Sequence, residues 1–316
     1  MDGQKKAAFV AVLGRPSVGK STLVNAICGQ KVAIVSPVPQ TTRNAIRGIY
    51  NGERGQLVFV DTPGRHRSDK KLNKKLISVS DRSMAEADLI LYVLDASRPP
   101  GPEEEAIALA LVPFAGKLAA AINKIDSKAA DTGVITAFLR EHFPPAPGSE
   151  APPPWLEISA LAGRGMEELL SLLFDMAPPG EAFYPEDYYT DQEVSFRIAE
   201  IIREKAVQRL REELPHSIYV DVADLEFRNP GGGTAADDPA KDSGRRLWVR
   251  AFIVTERESQ KGMVVGKGGA MIKAIRQAAQ KDLDAIFDWK IDLDLRVKCA
   301  KDWRHNDALL KRLIDR

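Results

Sequence analysis

An α/β domain with a parallel sheet flanked by helices, followed by a smaller α+β domain, is the fold class this sequence predicts, and three observations predict it. The stretch Gly14-Arg15-Pro16-Ser17-Val18-Gly19-Lys20-Ser21-Thr22 holds two glycines separated by four residues and then Lys and Ser, between the apolar run Ala8–Leu13 and the helix-like Leu23–Cys28. Short apolar runs recur at Leu57–Val60, Leu89–Leu94, Leu118–Ile122 and Trp155–Ile158, each delivering a polar loop at its C-terminal end. Strands alternating with helical patterns, with the loops gathered at one strand end, describe a parallel sheet with its ligand along that edge. The second half changes pattern: a helix, two strands, a Gly-x-x-Gly turn between helical segments, and a last strand.

Length and charge bound what the chain can be. Its 316 residues exceed the common single-domain size, so two domains are expected, 5–180 and 190–316, with the Pro178–Pro185 break marking a linker at 181–189. A formal net charge of +1 excludes a wholly basic nucleic-acid coat protein and leaves room for a local basic surface. Cys28 and Cys299 fall in different expected domains, with no Cys or His at metal-ligand spacing, which fits a reducing compartment. Met1–Lys6 is polar, and no later run reaches the length of a membrane span, so the chain reads as cytoplasmic.

In chain order, the glycines of the first loop let backbone N–H groups turn around a β-phosphate, and the following helix N-terminus adds partial positive charge. Lys20 reaches the β and γ oxygens and Ser21 offers its hydroxyl to magnesium. Lys31–Arg47, with Pro37, Pro39, Gln40, Thr41, Thr42 and Arg43, shows neither helical nor strand period and reads as a loop. In a nucleotide switch such a loop places a Thr hydroxyl on the metal, Thr42 ahead of Thr41. Leu57–Val60 delivers Asp61-Thr62-Pro63-Gly64, where Asp61 would hold the metal through a water and the Gly64 N–H would sense a γ-phosphate. Leu89–Leu94 ends at Asp95. Leu118–Ile122 ends in Asn123-Lys124-Ile125-Asp126, and a carboxylate at Asp126 accepts from the ring N–H and exocyclic amine of guanine, a donor pair adenine lacks. Asn123 would tie this loop to the phosphate loop, with the Lys124 stem along the base plane. A solvated connection, Pro144–Pro154, leads to Trp155–Ile158 and Ser159-Ala160-Leu161, whose backbone would meet the guanine carbonyl, and helix Met166–Met176 closes the unit.

Beyond the linker, Thr190 and Glu193 stand at capping-box spacing before a helix carrying Val194, Ile198, Ile201 and Ile202 on one side. Strands follow at Ser217–Phe227 and Leu247–Val254, joined by Asn229–Arg246, a Gly-rich hairpin extension read as disordered. Met263–Val265 then leads into Gly266-Lys267-Gly268-Gly269, and a helix leaves with Ile272, Ile275, Ala279, Leu283 and Ile286 at core spacing. Lys273, Arg276 and Lys281 lie off that stripe, and Ile291–Val297 is the last strand. Trp248, Phe252, Phe287 and Trp289 read as core, and the histidines 66, 142, 216 and 305 as surface or packing residues.

Taken together, the phosphate loop, Pro39-Gln40-Thr41-Thr42-Arg43, Asp61–Gly64, Asn123–Asp126 and Ser159–Leu161 stand in the order used by translational-type GTPases and resemble the Era family of GTPases. The elements behind them resemble the type II KH fold, whose glycine loop brings backbone against single-stranded nucleic acid. The resemblance therefore implies a P-loop GTPase domain followed by a type II KH domain, covering nearly the whole chain. It carries GTP and GDP contacts to Gly14, Arg15, Pro16, Ser17, Val18, Gly19, Lys20, Ser21, Thr22, Asp61, Thr62, Pro63, Gly64, Asn123, Lys124, Asp126, Ser159, Ala160 and Leu161. Mg2+ falls to Ser21, Thr42 and, through water, Asp61, and hydrolysis to Lys20, Thr42 and Gly64. RNA contacts fall to Lys261, Val264, Gly266, Lys267, Gly268, Gly269, Lys273 and Arg276. Two departures matter. Ser17 stands where members carry Asn beside a potassium ion, which leaves K+ dependence open. Arg65 stands where members carry an apolar residue, so its guanidinium either faces solvent, the favoured reading, or reaches the γ-phosphate.

The implied task is a slow GTPase switch that binds the 3′ end of small-subunit ribosomal RNA and assists maturation of the small ribosomal subunit, acting as a monomer. Some family members touch the inner membrane peripherally, which nothing in this sequence demands. Two alternatives stand beside it: an RNA-binding chaperone that holds nucleotide only for stability, and a GTPase serving RNA modification. The last is weakened because no further cluster of His, Cys or paired acids is visible in the sequence.

Overall fold

The computed structural model describes residues 4–36, 38, 43–62, 80–145, 151–228 and 246–314. Thr41, Thr42, Pro63, Gly64, Arg65, His66 and most of the Asn229–Arg246 joint lie outside the described residues. The chain divides into two compact units, the first mainly residues up to Asp191 and the second mainly Gln192–Arg312.

The first unit is a six-stranded sheet in the order β2-β3-β1-β4-β5-β6. Its strands are β1 (Lys6–Leu13), β2 (Ile46–Gly52), β3 (Gly55–Asp61), β4 (Leu89–Asp95), β5 (Leu118–Asn123) and β6 (Trp155–Glu157). Only β2 runs antiparallel to its neighbour. β4 reads as an unbroken apolar run because both its faces are covered. Leu89, Leu91 and Val93 join a core with α1 (Lys20–Cys28) and α4 (Met166–Met176). Ile90, Tyr92 and Leu94 join another with α2 (Pro102–Leu111) and α3 (Thr132–His142). Local chemistry sets the helix starts. α2 has Pro at its first turn with Glu103, Glu104 and Glu105, and α3 is capped by Asp131, whose carboxylate accepts from Val134 N at 3.1 Å. The described loops that leave β1, β3, β4, β5 and β6 therefore open on one edge of the sheet.

β2 is where the sequence reading falls short: residues 46 and 47 begin a strand rather than ending a loop. Gly48, Asn51 and Gly52 dilute its strand signal, and long-range bonds supply what propensity lacks. Ile49 N–H donates to Tyr189 O at 3.0 Å, and Asn51 Nδ2 to Glu186 O and Tyr188 O at 2.9 and 3.0 Å. The buried Gln56 side chain accepts from Phe183 N and Tyr184 N and donates to Tyr184 O. Residues 183–190 are thus fixed along the sheet edge. The capping box expected at Thr190 and Glu193 is absent: Glu193 is the N-cap but its side chain makes no capping bond, and Thr190 Oγ1 instead donates to Arg47 O at 2.8 Å.

The second unit runs α5 (Val194–Arg209), β7 (Ile218–Arg228), β8 (Arg246–Thr255), α6 (Glu258–Val265), α7 (Ala270–Ile286), β9 (Lys290–Cys299) and α8 (Asp307–Ile314). β7 and β8 pair antiparallel, β8 and β9 parallel. Along β8, Leu247, Val249, Ala251 and Ile253 are fully buried against the helices. Trp248 and Phe252, expected in the core, lie on the opposite face, half-buried under cations. Arg228 and Arg250 sit 3.8 and 4.8 Å from the Trp248 ring centroid, and Lys298 sits 4.5 Å from that of Phe252. Among the described residues no helix is long and apolar enough to cross a membrane.

Candidate functional site

The turn between β1 and α1 is shaped by close approach. A β-carbon at Gly14 would collide with the Val93 carbonyl, and one at Gly19 with the Asn123 side-chain amide. With φ near +149° and +102°, both positions favour glycine sterically and conformationally. α1 begins at Lys20 with no acidic residue in its first turn, so its N-terminal N–H groups keep their partial positive charge. Lys20 is 7% exposed and folds back, Nζ donating to Gly14 O and Arg15 O at 2.9 Å. Burial pushes its pKa down, opposed by Asp61 and Glu104. Ser21 Oγ donates to Asp61 Oδ2 at 2.6 Å, bringing the end of β3 beside the phosphate loop. Thr62 Oγ1 donates to Val12 O, which fastens the start of Asp61–Gly64 to β1.

Across the sheet edge a second loop set is locked together by Asn123. Its Nδ2 donates to Val18 O at 2.9 Å and its Oδ1 accepts from Ala160 N at 3.0 Å, so one buried amide joins the β1, β5 and β6 loops. The Val18 side chain is core; only its backbone faces the site. Asp126 is exposed and oriented by Ser159, whose Oγ donates to Oδ1 at 2.5 Å. That bond holds the Asp126 carboxyl below the usual aspartate value. Lys124, at φ +66°, reaches back so that Nζ donates to Ser17 O and to Asp95 Oδ2, both at 2.7 Å. Leu161 is 82% exposed, so its backbone rather than its side chain belongs to this wall.

Two residues of this site went unassigned in the sequence. Asp95 carries a fully buried carboxylate bonded by Lys124, Ser97 and Arg98. Its signal was a polar residue ending an apolar strand, level with Asn123 in the β4–β5 register. Glu104 is also fully buried. It pairs with the Arg15 guanidinium and accepts from Tyr92 Oη at 2.6 Å, and burial outweighs these partners to push its carboxyl up. Arg15, expected at the nucleotide, is thereby turned to α2, leaving its backbone to the loop. Nothing in the run Glu103-Glu104-Glu105 marks in sequence which member goes inside; only the Tyr92 face of β4 reveals it.

The donor set fits a magnesium nucleotide. Ser21 and Asp61 present adjacent hard oxygen ligands of the kind Mg2+ takes alongside water and phosphate, and the buried Lys20 ammonium is held inside the same loop, bonded to its carbonyls. The third expected metal ligand, Thr42, lies outside the described residues. Elsewhere, folding assembles a trio that the sequence hid: Glu256, Asp302 and His305 bring one ligand atom each within 4.8 Å of one another. Arg304 Nε sits 3.5 Å from the Glu256 carboxylate, placing a positive charge against it.

In the second unit Gly266–Gly269 joins α6 to α7. Gly266 (φ +74°) lies against α7, where a β-carbon would stand 2.7 Å from Met271 Cβ and 2.9 Å from Met271 N. Gly268 and Gly269 also have positive φ, but face open space. Lys267 and Lys273 are exposed, Arg276 is half-buried, and Lys261 is half-buried and pairs with Glu258 at 3.0 Å. Val264, read from sequence as an RNA contact, is fully buried in the core, because α6 turns that side inward and leaves Met263 outside.

Comparison with known proteins places these features in a lineage. A sequence model described as a 50S ribosome-binding GTPase matches residues 9–124, and one described as a KH domain matches 236–304. GTPase Era of Treponema denticola is 46% identical over 307 residues, 97% of this chain and 99% of that protein. GTPase Era of Borreliella afzelii is 44% identical over 310 residues, 98% and 100% of the two chains. This chain belongs to the GTPase Era family. Two solved Era structures each superpose with a TM-score of 0.85 over 98% of both chains. One, at 33% identity, holds MgGDPNP and nucleotides 1506–1542 of 16S ribosomal RNA; the other, a variant from Aquifex aeolicus at 32%, holds GDP and AlF4−. The Era fold, a P-loop GTPase domain with a mostly parallel sheet and then a KH domain, accounts for both units described above.

Proposed function

We propose that this Era-family chain binds GTP with Mg2+, hydrolyses it, and uses nucleotide state to control binding of the 3′ end of small-subunit ribosomal RNA during assembly of that subunit. The observation that carries the reading is the pairing of two sites in one chain: a guanine-side wall with the exposed, Ser159-oriented Asp126, and a glycine turn flanked by exposed Lys267 and Lys273. We divide the chain into 5–180, a linker at 181–189 that packs along β2 and β3, and 190–316.

Each residue's part follows from its chemistry. The Lys20 ammonium exchanges loop carbonyls for β and γ oxygens. Ser21, Thr42 and, through water, Asp61 would hold the metal, which would neutralise phosphate charge and polarise the transferred phosphoryl group. Asp126 selects guanine, since adenine leaves its carboxylate without donors. Thr42 and the Gly64 N–H lose a partner when the γ-phosphate leaves, and so report hydrolysis. At the other site, backbone N–H groups around Gly268 and the lysine charges meet an RNA backbone. The 50S description belongs to a model spanning only the first domain, whereas the relatives matched end to end are Era proteins, which favours the small subunit.

Calorimetry and filter binding test this. GDP should bind at least about 1,000-fold more tightly than ADP, and affinity for a 16S 3′-end RNA should differ between GDP and a non-hydrolysable GTP analogue. Equal RNA affinity in both states would replace the switch with a constitutive RNA-binding chaperone. Recovery of transfer RNA alone from cross-linked extract would point to RNA modification.

A further inference from the structure

We infer that Asp95, at the end of β4, is a positioning residue for guanine recognition, acting through Lys124. The inference rests on the guanine-nucleotide reading above and adds to it a residue that never touches the ligand.

The geometry is that of a buried hub. The Asp95 side chain is fully buried. Its Oδ1 accepts from Ser97 N at 3.0 Å and Ser97 Oγ at 2.5 Å, and its Oδ2 accepts from Arg98 Nε at 2.9 Å and Lys124 Nζ at 2.7 Å. The backbone is tied as well: Ala96 N–H donates to Asn123 O at 2.9 Å, and Asp131 N–H to Ala96 O at 2.8 Å. Asp95 therefore cannot swing away without breaking the loop that starts α3.

Lys124 is held at both ends. Its backbone sits at φ +66°, a conformation uncommon for a residue with a side chain, and its Nζ is shared between Asp95 Oδ2 and Ser17 O of the phosphate loop. With the two ends fixed, the methylene stem spans the gap from the β5 loop to the phosphate loop as an apolar rod. Such a rod offers a face to a flat ring, while Asp126 reads the ring's edge. A lysine without its anionic anchor would spend that contact on ordering four rotatable bonds. Asp95 is thus a device for ordering the stem before the base arrives, and base face and base edge are handled by separate residues.

That separation gives the test. Nucleoside diphosphate affinities are measured on the full-length protein for GDP and IDP, whose hypoxanthine lacks the exocyclic amine, and for inorganic tripolyphosphate, which has no base. Wild type must first bind GDP more tightly than IDP; failure there sinks the guanine reading itself. Asp95→Asn, which keeps size and the Ser97 bonds, should weaken GDP and IDP alike by about tenfold, leaving their ratio and tripolyphosphate binding unchanged. Lys124→Met, which keeps the stem and removes the ammonium, should give the same loss, and the double variant should be no worse than either single one. The inference is overturned by wild-type GDP affinity in Asp95→Asn, by additive losses in the double variant, or by an equal loss for tripolyphosphate, which would mark a general collapse of the phosphate loop. Should Asp95→Asn fail to fold, Lys124→Met decides alone: wild-type GDP affinity there would show that an anchored ammonium is not needed.

Discussion

On the function we propose, the edge of the first unit and the glycine turn of the second solve opposite recognition problems. Around the phosphate loop the polar groups are buried and bonded to one another: Asn123, Asp95, Asp61 and Glu104 are at most 2% exposed. Around Gly266–Gly269 the groups that matter face outward, and open space lies before Gly268 and Gly269. A small, highly charged ligand is bound by donors fixed in advance, whose order is part of the affinity. A flexible polymer is met by exposed backbone and mobile cations, which gain affinity charge by charge and lose it with salt. Damage to the first site should therefore be cooperative and large, and damage to the second local.

The largest effect tests that cooperativity. Asn123→Ala removes the amide that joins three loops and leaves Val18 O and Ala160 N–H without the bonds Asn123 made. Two buried groups left unpaired cost about 2–4 kcal/mol, and we expect GDP affinity to fall about 100-fold, with a lowered melting temperature, while RNA binding to the nucleotide-free protein stays intact. A loss no greater than that of a single hydrogen bond, read by calorimetry, would break the comparison, because it would mean the loops hold their shape independently.

A smaller and more local effect is expected at the turn. Gly266→Ala places a methyl group against Met271 at a φ of +74°, costing about 1–2 kcal/mol of strain. Relief requires the turn to shift away from α7. RNA affinity should fall about tenfold, with GDP affinity unchanged, in a titration at constant salt. Alanine at Gly269, which meets no neighbouring atom, should cost the fold only its left-handed backbone preference, so comparing the two variants separates packing of the turn from its approach to RNA.

The same contrast explains what could be read from sequence. The strands of the first unit were legible because burial on both faces leaves near-continuous apolar runs, and the loops at their ends carry residue types that few other chemistries need. What escaped depends on a partner far away in sequence. β2 is held partly by residues 183–190, and Asp95 acquires its meaning only from Lys124 and Ser17. Glu104 does so from Arg15 and Tyr92. The Trp248 and Phe252 error was avoidable: Arg250 shares their side of β8, while the intervening residues are all aliphatic, so strand alternation alone placed both rings off the core. Val264 was not avoidable, since Met263, Val264 and Val265 are equally apolar and only the orientation of α6 chooses which one goes inside.

The smallest expected effect sharpens the comparison at an exposed point of the first site. Asp126, which we assign to guanine recognition, is exposed, and its carboxyl is held below the ordinary aspartate value of 3.8 chiefly by the Ser159 hydroxyl. Only the ionised carboxylate can accept both guanine donors, so a depressed pKa keeps the site competent to lower pH. Ser159→Ala removes that bond, and with it the one from Ala162 N–H to Ser159 Oγ. The Asp126 pKa should then rise toward 3.8, seen as an upward move of its carboxyl-carbon NMR titration, and the acid limb of GDP affinity should move up with it. At neutral pH Asp126 stays ionised in both proteins, so affinity there should fall only about threefold, the worth of one lost orienting hydrogen bond. A loss at pH 7 as large as that of Asn123→Ala would show that Ser159 holds the β6 loop itself rather than one carboxylate, and would move even this exposed residue to the cooperative side of the comparison.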